Sequence, residues 1–107
     1  MSLGRDGYLK SVNPAWQRLL GYSDQELLAR PFVEFVAVGD RSKLNVVIEQ
    51  LGAGKSVRNL EDRITHKNGQ QSLMAWSAQP ADEVFYIVGR DVSEQRSAEQ
   101  ALRRLLH

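Results

Sequence analysis

The sequence contains few side chains that could carry out chemistry, and their spacing matches no catalytic arrangement. The 107 residues include no cysteine, which excludes disulfides, thiolate nucleophiles and zinc sites built from cysteine. Of the two histidines, His66 adjoins a turn and is expected to be solvated, and His107 is the C-terminal residue. Ser11 and Ser23 form no nucleophile pattern with His66, and no phosphate loop or paired-carboxylate motif occurs. We expect neither enzymatic activity nor a metal site.

The composition is that of one ordinary globular domain. Hydrophobic residues make up 42% of the chain and charged residues 25%. The net charge of +1 gives no long-range attraction to nucleic acid or to an anionic membrane. No apolar run reaches the roughly 18 residues of a membrane span, and no stretch resembles a signal peptide. We therefore predict a cytoplasmic domain with no nucleic-acid partner and no direct membrane contact.

Turn and capping residues divide the first part of the chain into short elements. An Asp-Gly turn at 5–7 predicts a strand over 8–12. Asn13-Pro14 has the residue types expected at the N-cap and first position of a helix. A capping box over 23–26 opens a second short helix. Asp40 is predicted to cap a longer third helix, whose apolar residues recur at i, i+3, i+4 and i+7.

The rest of the chain predicts strands and a final helix. Strand-like runs occupy 57–66, 71–79 and 84–91, and an Asn-Gly turn joins the first two. A polar helix with small and apolar residues on one side follows. The element order is that of an α+β domain with its helices in one block.

The last strand passes directly into the final helix at Asp91. Asp91 is of the type that caps a helix, and Glu94, three residues on, can reach back to it. Such a junction would connect the sheet to the helix without a flexible linker.

The stretches VNPAWQRLLGYSDQELL, ITHKNGQQSLMAWSAQP and YIVGRDVSEQ resemble the PAS sensory domain, and the resemblance extends from residue 6 to about residue 100. It implies a five-stranded antiparallel sheet with short helices across one face. We expect a sensory domain over 5–92 and a signalling helix over 93–107.

The resemblance also implies a function. PAS domains sense a signal and pass it to an attached effector, here most simply a sensor histidine kinase and next a diguanylate cyclase. Asp91, Val92, Ser93 and Glu94 stand where the family has the motif that transmits the signal. The alternative is a PAS module that binds no ligand and only mediates dimerisation or other protein contacts.

One departure from the family concerns the first strand, which normally precedes the Asp-Gly turn in the middle of the sheet. Only residues 1–4 precede the turn here, which is too short for a full strand. Either a short stub pairs in that position or a neighbouring chain supplies the missing edge. We assign no structural role to Met1-Ser2-Leu3.

Strand alternation and helix periodicity predict the lining between sheet and helices. We expect this space to be a filled core, with a small, largely apolar ligand as the alternative. Asp62 shares the alternation phase of Ile64, and we expect it to be solvated at a strand end, with a polar group at the pocket's edge as the alternative. The candidate lining residues are Trp16, Leu20, Leu44, Ile48, Ile64, Met74, Trp76, Phe85, Ile87 and Gly89.

The resemblance argues against two familiar cofactors. Haem-binding relatives take a histidine from the long helix, and the helix after Asp40 has none. Flavin-binding light-oxygen-voltage relatives use a reactive cysteine and strand amides, whereas the matching strand positions here are Ile64, Met74 and Gly89. We expect no haem and no flavin.

The final helix has an apolar seam formed by Ala98, Leu102 and Leu105, which are spaced as in a coiled coil. The seam can fold back on its own sheet or pair with the same helix of a second chain. We favour pairing, and so expect a homodimer with the effector attached after the helix.

Overall fold

The computed structural model describes residues 1–106, so His107 lies outside the described residues. Five antiparallel strands form one sheet in the order β2-β1-β5-β4-β3. The strands are β1 Ser2–Gly4, β2 Leu9–Ser11, β3 Val57–Thr65, β4 Gln71–Pro80 and β5 Val84–Asp91. The helices are α1 Pro14–Leu20, α2 Asp24–Ala29, α3 Arg41–Gly52 and α4 Ser93–Leu106, with 3₁₀ turns at Phe32–Phe35 and Val38–Asp40. The predicted α+β sheet with short helices is confirmed.

The three residues of β1 form an interior strand of the sheet, next to the middle strand β5. β1 pairs with β2 on one side and with β5 on the other. The Met1 amino group donates to the Ile87 carbonyl (3.0 Å), and the Ile87 N–H donates to the Met1 carbonyl (2.9 Å). Leu3 is only 1% exposed. The short stub predicted as one alternative is therefore present, and assigning no role to Met1-Ser2-Leu3 was wrong because Leu3 is part of the core.

The helix caps of the first half follow the sequence signals. The Asn13 side chain accepts from the Ala15 N–H at 2.9 Å, at the start of α1. Ser23 and Glu26 form the reciprocal bonds of a capping box at the start of α2, 3.2 Å and 3.1 Å long. Each of these signals lies within four consecutive residues, which is why the sequence predicts them correctly.

Asp40 does not cap α3, contrary to the prediction. Its carboxylate forms no capping bond and instead accepts from the Arg63 backbone N–H (2.9 Å) and Nε (3.2 Å). The Arg63 guanidinium lowers the pKa of the Asp40 carboxyl and outweighs the opposing effect of burial. The Asp40–Arg63 ion pair therefore links the start of α3 to β3 and fixes this end of the helix against the sheet.

The core lies between one face of the sheet and the helices. Alternate residues of β3, β4 and β5 point inward, and the 3₁₀ turn contributes Phe32 and Phe35. On the other face, Tyr86 and Val88 of β5 are exposed. The strand phase predicted from alternation therefore matches the structure.

Candidate sensory core and output junction

Trp76 of β4 stands at the centre of the core. Its ring stacks on that of Trp16 from α1, with centroids 5.1 Å apart and an interplanar angle of 20°. Phe32 meets Trp76 edge-on at 5.7 Å. Gly89 of β5 lies against the same indole, and a Cβ there would clash with the Trp76 ring. A side chain at position 89 would therefore displace the stacked pair.

All ten predicted lining residues lie between the sheet and the helices or at the edge of that space. Seven are buried and three are half-buried. The buried residues are Leu20, Leu44, Ile64, Met74, Trp76, Phe85 and Ile87; the half-buried residues are Trp16, Ile48 and Gly89.

The interior spaces beside these residues are small. One cavity of about 20 Å³ touches Leu44, Ile48 and Trp76, and another of about 10 Å³ touches Trp16 and Trp76. A cleft of about 310 Å³ opens to solvent between α1 and β5, where Trp16 forms part of the wall. The two interior cavities are each about the size of a single water molecule.

Asp62 lies in the core, although we expected it to be solvated. Its side chain is on β3, the residue is 1% exposed, and Oδ1 accepts from the Trp76 Nε1–H. Oδ2 has no hydrogen-bond partner among the described residues. Burial raises the pKa of Asp62 to about 6, although the hydrogen bond from Trp76 opposes this shift. The alternation phase was correct, and the assumption that a carboxylate must reach water was the error.

His66 is likewise less exposed than expected. The residue is half-buried, and its Nε2 shares a hydrogen bond of 2.6 Å with the hydroxyl of buried Ser72. The ring is therefore solvated only in part, because the Ser72 hydroxyl, just after the hairpin turn, bonds to it. No group of three or more His, Cys, Asp or Glu side chains within residues 1–106 is arranged to hold a metal ion.

The junction between β5 and α4 is bonded to the neighbouring strand β4. The Val92 N–H donates to the Leu73 carbonyl (2.9 Å), and the Leu73 N–H donates to Ser93 Oγ (2.8 Å). Asp91 Oδ1 accepts from the Ser93 N–H at 2.8 Å. Burial raises the pKa of Asp91, but the hydrogen bonds from Ser93 and Ser72 together with the nearby His66 outweigh it, and the pKa lies below its ordinary value.

The predicted capping box at this junction forms only in part. Val92, rather than Asp91, precedes the first helical residue, and its carbonyl accepts from the Arg96 N–H. Within the part of the chain that the structure describes, no hydrogen bond joins the Glu94 side chain to Asp91. The start of α4 is held instead by the bonds of Val92 and Ser93 to the β4 backbone at Leu73.

An ion pair that the sequence analysis missed holds α4 against the sheet. Arg96 Nε donates to Glu61 Oε1 of β3 at 2.8 Å, and a second guanidinium nitrogen contacts the other oxygen. Glu99 accepts from Arg96 Nη1 at 2.8 Å. The hydrogen bonds raise the pKa of Arg96 and lower those of both carboxyls. No local pattern reveals this contact, because Glu61 and Arg96 are far apart in sequence.

Beyond Arg96, α4 leaves the sheet. Ala98, Leu102 and Leu105 of the predicted seam are exposed, the two leucines by 58% and 83%. The seam does not fold back on the sheet of its own chain. Among residues 1–106, no helix is long and apolar enough to cross a membrane.

Comparisons with known proteins agree with this architecture. A family model described as the PAS fold matches residues 9–90. A search of curated proteins finds no match. A domain of a sensory box sensor histidine kinase/response regulator from Geobacter sulfurreducens is 25% identical, with a TM-score of 0.73, over 84% of this chain and 79% of that one.

Two further solved structures share the fold alone. The N-terminal domain of a diguanylate cyclase with PAS/PAC sensor from Marinobacter aquaeolei is 13% identical, with a TM-score of 0.77, over 89% of this chain and 94% of that one. An RNA-binding light-oxygen-voltage receptor is 20% identical, with a TM-score of 0.79, over 98% of this chain. The matched region is 32% of that receptor.

Proposed function

Because the chain belongs to the PAS family, whose members are sensory modules of signalling proteins, we propose that it is an input module that regulates an attached effector through α4. The observation that carries the proposal is the junction from Asp91 to Ser93. Its hydrogen bonds to β4 fix the start of α4 to the sheet, so a displacement of the sheet moves the helix with it.

A sensor histidine kinase is the first candidate effector. The Geobacter sulfurreducens domain, from a sensor histidine kinase/response regulator, supports it with 25% identity over most of both chains. A diguanylate cyclase is the second candidate. We propose a cytoplasmic location for the module, and the net charge of +1 supports the absence of a nucleic-acid partner and of direct membrane contact.

Coupling through the junction can be measured in a chimera. The chain is fused after α4 to the catalytic domain of a dimeric diguanylate cyclase, and product formation is measured by chromatography. Removing the junction's two side-chain hydrogen bonds with Asp91→Ala/Ser93→Ala is expected to change activity by up to about thirtyfold, since each bond stabilises one arrangement by about 1 kcal/mol, or about fivefold.

Ser97→Ala, an exposed position on α4, serves as the control and should match the parent chimera. Equal activities of the junction variant and the parent would contradict transmission through this segment.

We further propose that α4 pairs with the same helix of a second chain. The exposed seam of Ala98, Leu102 and Leu105 supports pairing, because a stripe of this kind is stable when it packs against another apolar surface. A seam of three residues buries little area, so we expect a weak dimer at micromolar concentration.

Replacing both seam leucines should abolish that dimer. Leu102→Asp/Leu105→Asp places two negative charges in the interface, and sedimentation should show a monomer with an unchanged sheet by circular dichroism. Ser97→Asp/Gln100→Asp adds the same charge off the seam and should sediment like the parent. If the leucine variant dimerises as strongly as the parent, the interface lies elsewhere.

A PAS module that binds no ligand is the second candidate, and the small interior cavities of about 20 and 10 Å³ favour it. Native mass spectrometry distinguishes a sensor that binds a ligand from a module that binds none. A small molecule retained in stoichiometric amount supports the sensor, and repeated recovery of the bare chain as a dimer supports the interaction module.

We also propose that neither function uses haem or flavin. The cavities beside Trp76 are far smaller than either cofactor, and apolar Ile64 and Met74 with Gly89 stand where flavin-binding relatives have amides. Absorption spectra after incubation with haem, FMN or FAD and desalting are expected to show no bound chromophore. A reproducible stoichiometric band would contradict this.

A further inference from the structure

Three polar side chains lie in a row across the end of the sheet from which α4 departs. His66 follows β3, Ser72 belongs to β4, and Asp91 is the last residue of β5. The His66 Nε2 and the Ser72 hydroxyl oxygen are 2.6 Å apart, and Ser72 is only 7% exposed. The same hydroxyl bonds to the Asp91 carboxylate. Ser72 therefore connects the imidazole ring to the junction that holds α4.

The single proton of the Ser72 hydroxyl decides the direction of the hydrogen bonds in this row. An ionised Asp91 only accepts, so its bond with Ser72 uses that proton, and the Ser72 oxygen then accepts from His66. A charged imidazole has donors on both nitrogens and fits this arrangement alone. A neutral imidazole can instead accept at Nε2, and the hydroxyl then turns toward the ring and leaves Asp91. The charge of the ring therefore selects the partner of the hydroxyl.

An imidazole changes its charge between about pH 5 and 8, whereas the charged groups around the His66 ring keep theirs. Arg18 of α1 and Lys67 line a surface cleft with His66, and both stay positive over this range. The Lys67 ammonium, 2.9 Å away, lowers the pKa of Glu26 in α2. Against the effect of burial, hydrogen bonds hold the pKa of Asp91 below its ordinary value. Both carboxylates therefore stay ionised while the ring titrates.

We propose that His66 makes the attachment of α4 to the sheet depend on pH, by determining through Ser72 how firmly Asp91 is held. The charged ring directs the hydroxyl to Asp91, whose Oδ1 accepts from the Ser93 N–H at the start of α4. Loss of the proton frees the hydroxyl and weakens this attachment. The inference rests on the proposed function, because it names a signal that acts on the same junction.

The Ser93 amide signal tests the connection in the full chain. In NMR spectra recorded between about pH 8 and 5, the Ser93 N–H and the His66 ring protons should shift with the same midpoint. Ser72→Ala keeps the ring but removes the bridging hydroxyl, so the ring should still titrate while the Ser93 signal no longer follows it. Different midpoints in the parent, or an unchanged Ser93 response in Ser72→Ala, would overturn the inference.

Asp62 needs a control of its own, because burial raises its pKa to about 6 and it titrates in the same range. Asp62→Asn removes that titration and should leave the Ser93 response in place. A response that disappears in Asp62→Asn but persists in Ser72→Ala would assign the effect to the core carboxyl and reject His66 as its source.

Hydrogen exchange of the Arg96 N–H, which donates to the Val92 carbonyl in the first turn of α4, measures the attachment itself. After correction for the intrinsic effect of pH, its protection in the parent should be about fivefold greater at the acidic end of the range, the factor that one hydrogen bond of ordinary strength supplies. Ser72→Ala should show no such increase. Equal protection at both ends of the range in the parent would overturn the inference even if the variant fails to fold.

The cyclase chimera at one fixed pH tests the output separately. If Asp91→Ala/Ser93→Ala leaves activity unchanged while the Ser93 signal follows the ring through Ser72, the pH-dependent row holds and the proposed output fails. Conversely, a junction variant that alters activity, in a chain whose Ser93 signal ignores the ring, keeps the output and rejects the role of His66.

Discussion

Trp76→Ala is expected to lower the free energy of unfolding by about 3–5 kcal/mol, the usual range for a large buried aromatic residue. Trp76 is 5% exposed, stacks on Trp16 and meets Phe32 edge-on, so its removal leaves a cavity among rigid neighbours. The change also removes the donor to Asp62 Oδ1. Urea unfolding followed by circular dichroism measures the effect.

Trp76→Phe separates packing from hydrogen bonding. The phenyl ring keeps most of the apolar contact but lacks the indole N–H, so the loss should be smaller than with alanine and the pKa of Asp62 should rise further. A loss of less than about 1 kcal/mol in Trp76→Ala would show that the indole does not pack in the core.

The second large effect is a dependence of stability on pH that Asp62 causes. The pKa of its carboxyl is about 6 in the folded chain against an ordinary value of 3.8. The folded state therefore binds a proton more tightly than the unfolded state, and the Asp62 contribution to stability rises as pH falls from above 6 toward 4. The difference corresponds to about 2 kcal/mol between neutral pH and pH 4.

Other carboxyls act with the opposite sign but at lower pH. Their pKa values are lowered by hydrogen bonds and ion pairs, so the stability they contribute is present above their unfolded values and lost as pH falls through their folded values. They are Asp6, Glu26, Asp40, Glu61, Asp91 and Glu99.

Comparison with Asp62→Asn isolates the buried group, because the other carboxyls are common to both proteins. The variant should be more stable than the parent at pH 7, and this advantage should shrink as pH approaches 4.5. Asp82→Asn, at an exposed loop position, should parallel the parent throughout. Parallel curves for the parent and Asp62→Asn would show that Asp62 titrates normally.

The sequence predicts best those features whose cause is local. The caps at Asn13 and Ser23 need only a few consecutive residues, and the alternation of the strands is a repeat that can be counted. Asp40 shows the limit of such reasoning. An aspartate before a helix is a good cap in isolation, but Arg63, distant in sequence, offers a charged partner and a backbone donor together.

In the candidate site, too, the sequence predicts features with a local cause and misses contacts between residues that are distant in sequence. Alternation placed Asp62 on the inward face together with Ile64, but only the pairing of β3 with β4 brings it to the Trp76 nitrogen. The Arg96–Glu61 contact depends on the direction in which α4 leaves the sheet, which no local signal fixes. Whether the seam of Leu102 and Leu105 pairs with another chain stays a prediction.

The position of β1 has a consequence for the order in which the chain can fold. β1 and β5 are neighbours in the sheet, yet they come from opposite ends of the sequence. During synthesis β3 and β4 can pair as soon as their hairpin emerges, whereas β1 must wait for β5 before its inner edge is covered. Closure of the sheet is therefore a late, long-range step, and it occurs at the strand that leads into α4.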